Sequence, residues 1–291
     1  SFPTRRSSDL VSSSIFISLD SNKSSDIKIE ENKLNLISDS HTLTIEVKDN
    51  NLSFYDENGQ VIQAIEKDGS IHLNAEFFDM ISVSVNSYKQ IVVDAGYKDG
   101  FIFYISDGRF YGVGQDGSMI DNVSITNRKG QQFYSLFTGR GYMWVNTFPL
   151  LKNTFICGHG AGTFSFYFPQ NDYVGLANTH GSSRFVIDKP HNMYLQTAVE
   201  EGCIALAAVI ILIILASINC IKSVSLINAS LLHDNNYLGE IAAASIVSII
   251  AFVIYSFFND SMVTVNPIFW LLLGINISSV YGINLQGGTI C

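Results

Sequence analysis

Hydrophobic and polar positions alternate along much of residues 26–125. The alternation is clean in Lys33-Leu34-Asn35-Leu36-Ile37, in Thr42-Leu43-Thr44-Ile45-Glu46-Val47 and in Ile81-Ser82-Val83-Ser84-Val85. A period of two sends successive side chains to opposite faces, so these segments read as half-buried strands. Asn58-Gly59, Asp68-Gly69, Asp99-Gly100, Asp107-Gly108 and Asp116-Gly117 punctuate them. Such dipeptides tolerate positive φ and match the twist of a tight hairpin. Between two of these turns, Phe101-Ile102-Phe103-Tyr104-Ile105 reads as a buried central strand. The pattern predicts a small antiparallel sandwich or open barrel containing no catalytic constellation.

From Gln131 the spacing becomes helical, with Tyr134, Phe137, Tyr142, Trp144, Phe148 and Leu151 crowded together. Thr138 is the expected N-cap ahead of Arg140, and Pro149 is expected to kink or divide the helix. Residues 156–190 are rich in Gly, Asn and Ser and predict an extended loop with short aromatic strands, 163–168 among them. Asp188 as cap and Pro190 in the first turn predict a helix start there.

Three apolar runs follow, at 203–221, 238–258 and 267–283. Each is long enough to cross a hydrocarbon core of about 30 Å. The second and third keep Gly, Ser and Asn at intervals, as helix packing in lipid favours. Lys222 is the one basic residue in the short connections, so the positive-inside rule puts that connection in the cytoplasm and residues 11–200 outside. The expected fold class is an α+β membrane protein: an extracytoplasmic antiparallel β domain plus a helical loop, followed by three transmembrane helices. Its expected divisions are 11–130, 131–202 and 203–291. The opening SFPTRRSSDL resembles the conceptual translation of a sequencing adapter, so residues 1–10 are set aside. On that reading the chain is the C-terminal fragment of a longer protein.

Composition sharpens this division. Hydrophobic residues make up 47% of the 291 and charged residues 15%, with mean hydropathy +0.23; soluble domains carry nearer a quarter charged. Beyond Gly202 the formal charges are Lys222, Asp234, Glu240 and Asp260, so most of the net −9 lies in the first part of the chain. No basic stripe is present to neutralise phosphates, which argues against a nucleic-acid partner. Cys157, Cys203, Cys220 and Cys291 include no CxxC pair, so neither a disulfide framework nor a zinc site is expected.

Two constellations carry candidate chemistry. The first runs from Thr138-Gly139-Arg140-Gly141-Tyr142-Met143-Trp144 to Gly158-His159-Gly160-Ala161-Gly162-Thr163-Phe164. The second is Asp188-Lys189-Pro190-His191-Asn192-Met193-Tyr194-Leu195-Gln196, continuing through Glu200-Glu201-Gly202 into the first apolar run. Both lie on the hydrophilic side, beside a membrane surface. Taken in order, a G-R-x-x-x-W helix, a G-x-G-x-x-T-F loop and a P-H-N-x-Y-L-Q helix leading into a span resemble the O-antigen ligase, O-antigen polymerase and oligosaccharide ligase superfamily. Phe258-Asn259-Asp260-Ser261, Pro267, Phe269 and Gly274 add to the resemblance, which covers roughly residues 135–283.

The resemblance implies a metal-independent, inverting glycosyltransferase without a cofactor. Its donor would be a polyprenyl diphosphate-linked saccharide such as an undecaprenyl one, and its acceptor a hydroxyl on a glycan, lipid or wall polymer. It places the family's arginine on Arg140 and its histidine on His191. A guanidinium offers planar, permanently charged donors to phosphate oxygens, and an imidazole can take a proton from an attacking hydroxyl. Arg184 and Lys189 would add phosphate contacts, and Trp144 and Tyr194 are read as further substrate-binding positions. His159 and His180 lack a carboxylate or Cys at ligand spacing, so no metal is expected. A competing reading is a membrane-anchored binding or sensor protein whose residues 26–125 fold alone. A transporter fragment is disfavoured, because Glu240 sits at a span end and Asp260 in a loop.

Overall fold

The computed structural model describes residues 24–38, 40–49, 51–75, 77–124, 130–226, 236–262 and 264–288. The adapter-like first ten residues lie outside these. The chain forms two compact units: one contains the strands together with residues 169–186, the other residues 129–168 and 187–291.

The first unit is built from two antiparallel meanders. Strands β1 (Ser24–Glu30), β2 (Lys33–Ser38), β3 (Thr42–Lys48) and β4 (Asn51–Tyr55) form a four-stranded sheet in sequence order. Seven more, β5 (Ala64–Lys67), β6 (Ser70–Leu73), β7 (Ser82–Val85), β8 (Ile91–Asp94), β9 (Phe101–Ser106), β10 (Arg109–Val113) and β11 (Met119–Ile120), form the second sheet, also neighbour to neighbour. Period-two patterning produces this directly: Leu34, Leu36, Leu43, Ile45 and Val47 turn inward from β2 and β3 into a core shared with Val93, Phe101 and Phe103 of the second sheet. The strand expected at residues 101–105 is β9, an interior strand whose Phe101 and Phe103 are fully buried. All five turn glycines take positive φ as their dipeptides predict.

Residues 169–186 complete this core. The expected loop there contains helix α3 (Tyr173–His180), capped by the Asp172 carboxylate accepting from the Gly175 N–H at 3.2 Å. Its Tyr173, Val174 and Ala177 join the β core. The Tyr173 hydroxyl accepts from the Val113 N–H at 2.7 Å and donates within the same strand pair, reaching the Val113 carbonyl at 2.8 Å. Burial pushes this phenol up to about 12, against the opposing pull of the Val113 hydrogen bond and the Arg184 cation. A raised folded-state value means the contribution is complete below the ordinary value of 10.0 and is lost as pH climbs through about 12. A rise of that size is worth about 3 kcal/mol. Tyr173→Phe is expected to flatten the loss of stability between pH 10 and 12 in denaturant titrations. It also leaves buried Val113 groups unpaired, at a cost of about 1–3 kcal/mol at neutral pH.

The second unit is helical. Arg140–Thr147 forms α1, followed by a 3₁₀ turn over Phe148–Lys152 that contains Pro149, so the proline divides the helix as expected. Thr138 does not cap α1. It has φ 60°, and Gly139, at φ 87°, occupies the cap position. Phe164–Tyr167 is one helical turn, α2, rather than an aromatic strand. Helix α4 spans Met193–Glu200, and its cap is Asn192, whose side-chain oxygen accepts from the Leu195 N–H at 3.0 Å; Asp188 and Pro190 precede the helix instead of starting it.

Helices α5 (Cys203–Leu226), α6 (Asn236–Tyr255) and α7 (Asn266–Gly288) follow. All three are long and apolar enough to cross a membrane. Lys222 falls within α5 rather than in the connection after it, and α6 stops at Tyr255, short of the expected Phe258. Ile246, Ile249, Phe269 and Leu273 form the seam between the helices. Asn276, fully buried there, donates to the Ala242 carbonyl and to Ser245 Oγ, each at 3.0 Å. Such polar links hold helices together where lipid supplies no hydrophobic drive. Ile211, Leu215, Val247, Ile254 and Leu271 remain exposed, as lipid-facing side chains would be.

Candidate functional site

The residues between α6 and α7 fold back over the start of α4. The Met193 N–H donates to the Ser256 carbonyl at 3.0 Å, Asn192 Nδ2 to the Phe257 carbonyl at 2.9 Å, and the Tyr194 hydroxyl to the Val253 carbonyl at 2.7 Å. Burial pushes the Tyr194 phenol up, which keeps it a donor. This clamp brings Asp260 to His191, with His191 Nδ1 and Asp260 Oδ2 2.7 Å apart. Asp260 is only 6% exposed, whereas His191 is 39% exposed. Because an ionised carboxylate only accepts, the pairing places the proton on Nδ1 and leaves the Nε2 lone pair free. Asp260 Oδ1 is buried and has no hydrogen-bond partner among the described residues. His191 itself has φ 49°, an uncommon conformation for a residue with a Cβ. Its neighbours hold it there: Asn192 caps α4, and the Pro190 carbonyl accepts from Trp144 Nε1 at 2.9 Å.

That last bond ties α1 to the histidine segment. Trp144 packs edge-on against Phe257 at 5.8 Å and also meets Phe137 and Phe258. Arg140 lies one turn before Trp144, on the same helix face. It is half-buried, and among the described residues no carboxylate pairs with it. The approach to Arg140 is unusual: Phe137, Thr138 and Gly139 all have positive φ. Gly141 then packs its bare Cα against the Phe133 carbonyl, where any side chain would collide.

The other sequence-derived residues divide. Trp144, Lys189, Tyr194, Arg140 and His191 share the helical unit, while Arg184 is exposed in the β-containing unit, close enough to Tyr173 to act on its phenol. The polar atoms of Trp144 and Tyr194 are both spent on backbone carbonyls, so what they offer a ligand is ring surface. His159 stacks on Tyr167 at 3.5 Å and His180 on Phe185 at 4.4 Å. Among the described residues, no group of three or more His, Cys, Asp or Glu side chains could hold a metal ion. Asp260 is the residue that sequence reasoning did not single out. Its signal was the Phe258-Asn259-Asp260-Ser261 segment between two apolar runs.

Fold and site together define a membrane-protein class: three helices long and apolar enough to cross a bilayer, with a histidine–carboxylate pair outside their apolar lengths. Residues 100–210 match the family model for O-antigen ligase, which carries the resemblance to the O-antigen ligase superfamily and makes glycan transfer the general activity this segment points to. The match includes Arg140 and His191 and ends before Asp260. No curated protein and no solved structure matches the chain.

Proposed function

We propose that this chain carries the catalytic site of a glycosyltransferase of the ligase or polymerase kind, which moves a glycan from a polyprenyl diphosphate to an acceptor hydroxyl. The His191–Asp260 pair is the observation that carries this reading. Nε2 of His191 takes the proton as the acceptor oxygen attacks the anomeric carbon. The bond from that carbon to the phosphate oxygen breaks, and the diphosphate leaves with the electron pair. Attack opposite the leaving group inverts the anomeric centre, and no metal takes part. Arg140, with which no carboxylate pairs among the described residues, receives the charge that develops on the diphosphate. Lys189 adds positive charge for phosphate, and Trp144 and Tyr194 present rings to the saccharide or lipid.

Helices α5–α7 cross the cytoplasmic membrane, and the site stands at its outer face, where an undecaprenyl diphosphate-linked saccharide would present its sugar. A donor bound at a partly dry membrane edge strengthens each of these charge interactions. The test is expression in cells that make a lipid-linked glycan and lack their own transferase. Wild type should transfer the glycan, while Arg140→Ala and His191→Ala at equal membrane abundance should not. Normal transfer by both variants would sink the assignment.

A further inference from the structure

We propose that Gln196 and Glu200 form a buried strut that positions Asp260, and through it His191, making Gln196 a positioning residue for the transfer reaction; this rests on the glycosyltransferase reading above. Gln196 and Glu200 lie one turn apart on α4, and both are buried. Gln196 Oε1 accepts from the Ser261 N–H at 2.9 Å, directly beside Asp260. Gln196 Nε2 donates to Glu200 Oε2 at 3.1 Å. The other oxygen, Glu200 Oε1, accepts from the Phe164 N–H at 3.4 Å. One chain of hydrogen bonds therefore runs from the Gly158–Phe164 motif, through two side chains of the P-H-N-x-Y-L-Q helix, to the segment carrying the carboxylate.

The strut matters because the clamp over α4 bonds the connection only as far as Phe257, and the carboxylate of Asp260 adds a single contact of its own. Its carboxylate meets His191 through one oxygen, and the other has no partner among the described residues. The main chain at Ser261 must therefore set where the carboxylate points, and Gln196 is what that main chain is bonded to. The hydrogen bonds of the Gln196 side chain go to Ser261 and Glu200, not to His191 or the Asp260 carboxylate, so its effect on chemistry is indirect. The two polar ends of the amide are not interchangeable, since the oxygen must face Ser261 and the nitrogen must face Glu200.

That polarity makes the strut testable. Gln196→Glu sets two carboxylates face to face. Gln196→Glu combined with Glu200→Gln reverses donor and acceptor while keeping every bond: Gln at 200 donates to Glu at 196, and both main-chain N–H groups keep an acceptor. Rates would be measured with the full-length protein and an undecaprenyl diphosphate-linked oligosaccharide. Gln196→Glu should lower kcat about 100-fold, as misplacement of a reacting group by about 1 Å does. KM for the lipid-linked saccharide should stay within about twofold, because the Gln196 side chain is buried and committed to Ser261 and Glu200. The double variant should recover to within about threefold of wild type. Undiminished kcat in Gln196→Glu would overturn the strut, and so would a double variant that fails to accumulate or to transfer. His191→Ala in the same assay separates the two ideas: wild-type transfer by it removes the glycosyltransferase site, whereas loss there with an intact Gln196→Glu removes only the strut.

Discussion

Asp260→Asn is expected to lower the rate of glycan transfer by about 10³–10⁴ while the protein accumulates normally. The variant is nearly isosteric, so the clamp of the α6–α7 connection over α4 survives. What changes is the proton. The carboxylate can only accept, and at 2.7 Å it holds the imidazole with Nδ1 protonated and Nε2 free to act as base. An amide can turn its NH₂ toward Nδ1, which favours the opposite tautomer and puts the proton on the nitrogen that should be removing one. The imidazolium formed during attack would also lose its negative partner. Initial rates from a lipid-linked saccharide, at matched membrane abundance, decide the matter. A rate within about threefold of wild type would mean that the pair has no part in proton transfer.

Gly158→Ala is expected to be strongly damaging to folding. Residues 154–160 run alongside 199–204. The Cys203 N–H donates to the Thr154 carbonyl at 3.0 Å, the His159 N–H to the Val199 carbonyl at 3.0 Å, and the Gly160 N–H to the Glu200 carbonyl at 2.8 Å. A methyl group at Gly158 would overlap the Glu200 carbonyl and the Glu201 nitrogen, all main-chain atoms that cannot rotate away. One segment or the other must move, and α4 with its strut would move too. A loss of about 3 kcal/mol or more is expected, read as a lower thermal midpoint or a loss of membrane-accumulated protein. Gly162→Ala is the contrast. At φ 73° with nothing within 4 Å, it should cost only the left-handed strain, about 1–2 kcal/mol. Equal stability of the two variants would remove the close-packing account.

The sequence made the β meanders and the apolar helices legible because each is written in a repeating pattern. Alternation along β2 and β3 needs no knowledge of the rest of the chain, nor does a run such as 203–221. The short helices α2 and α3 were hidden for the opposite reason: one or two turns in a Gly- and Asn-rich stretch leave too few positions for a period to show. The start of α4 was displaced because Asp188 and Asn192 are both good caps, and the choice between them is made by contacts with Phe257 and Ser256. Arg140 and His191 stood out through motif order. Asp260 did not, because its partner lies 69 residues away, and a lone acid in a polar turn between apolar runs looks like an ordinary solvated residue. Only folding shows that it is buried and spoken for.

The return of residues 169–186 to the β core has a consequence for how this polypeptide can be divided. A stretch ending near residue 124 keeps every strand among the described residues yet omits Tyr173, Val174 and Ala177, and with them the hydroxyl that bridges β9 and β10. The strands alone are therefore not a detachable cassette. Transplanting them as a continuous block into another protein would expose the floor on which α3 rests, so a working graft must carry two separate pieces of chain.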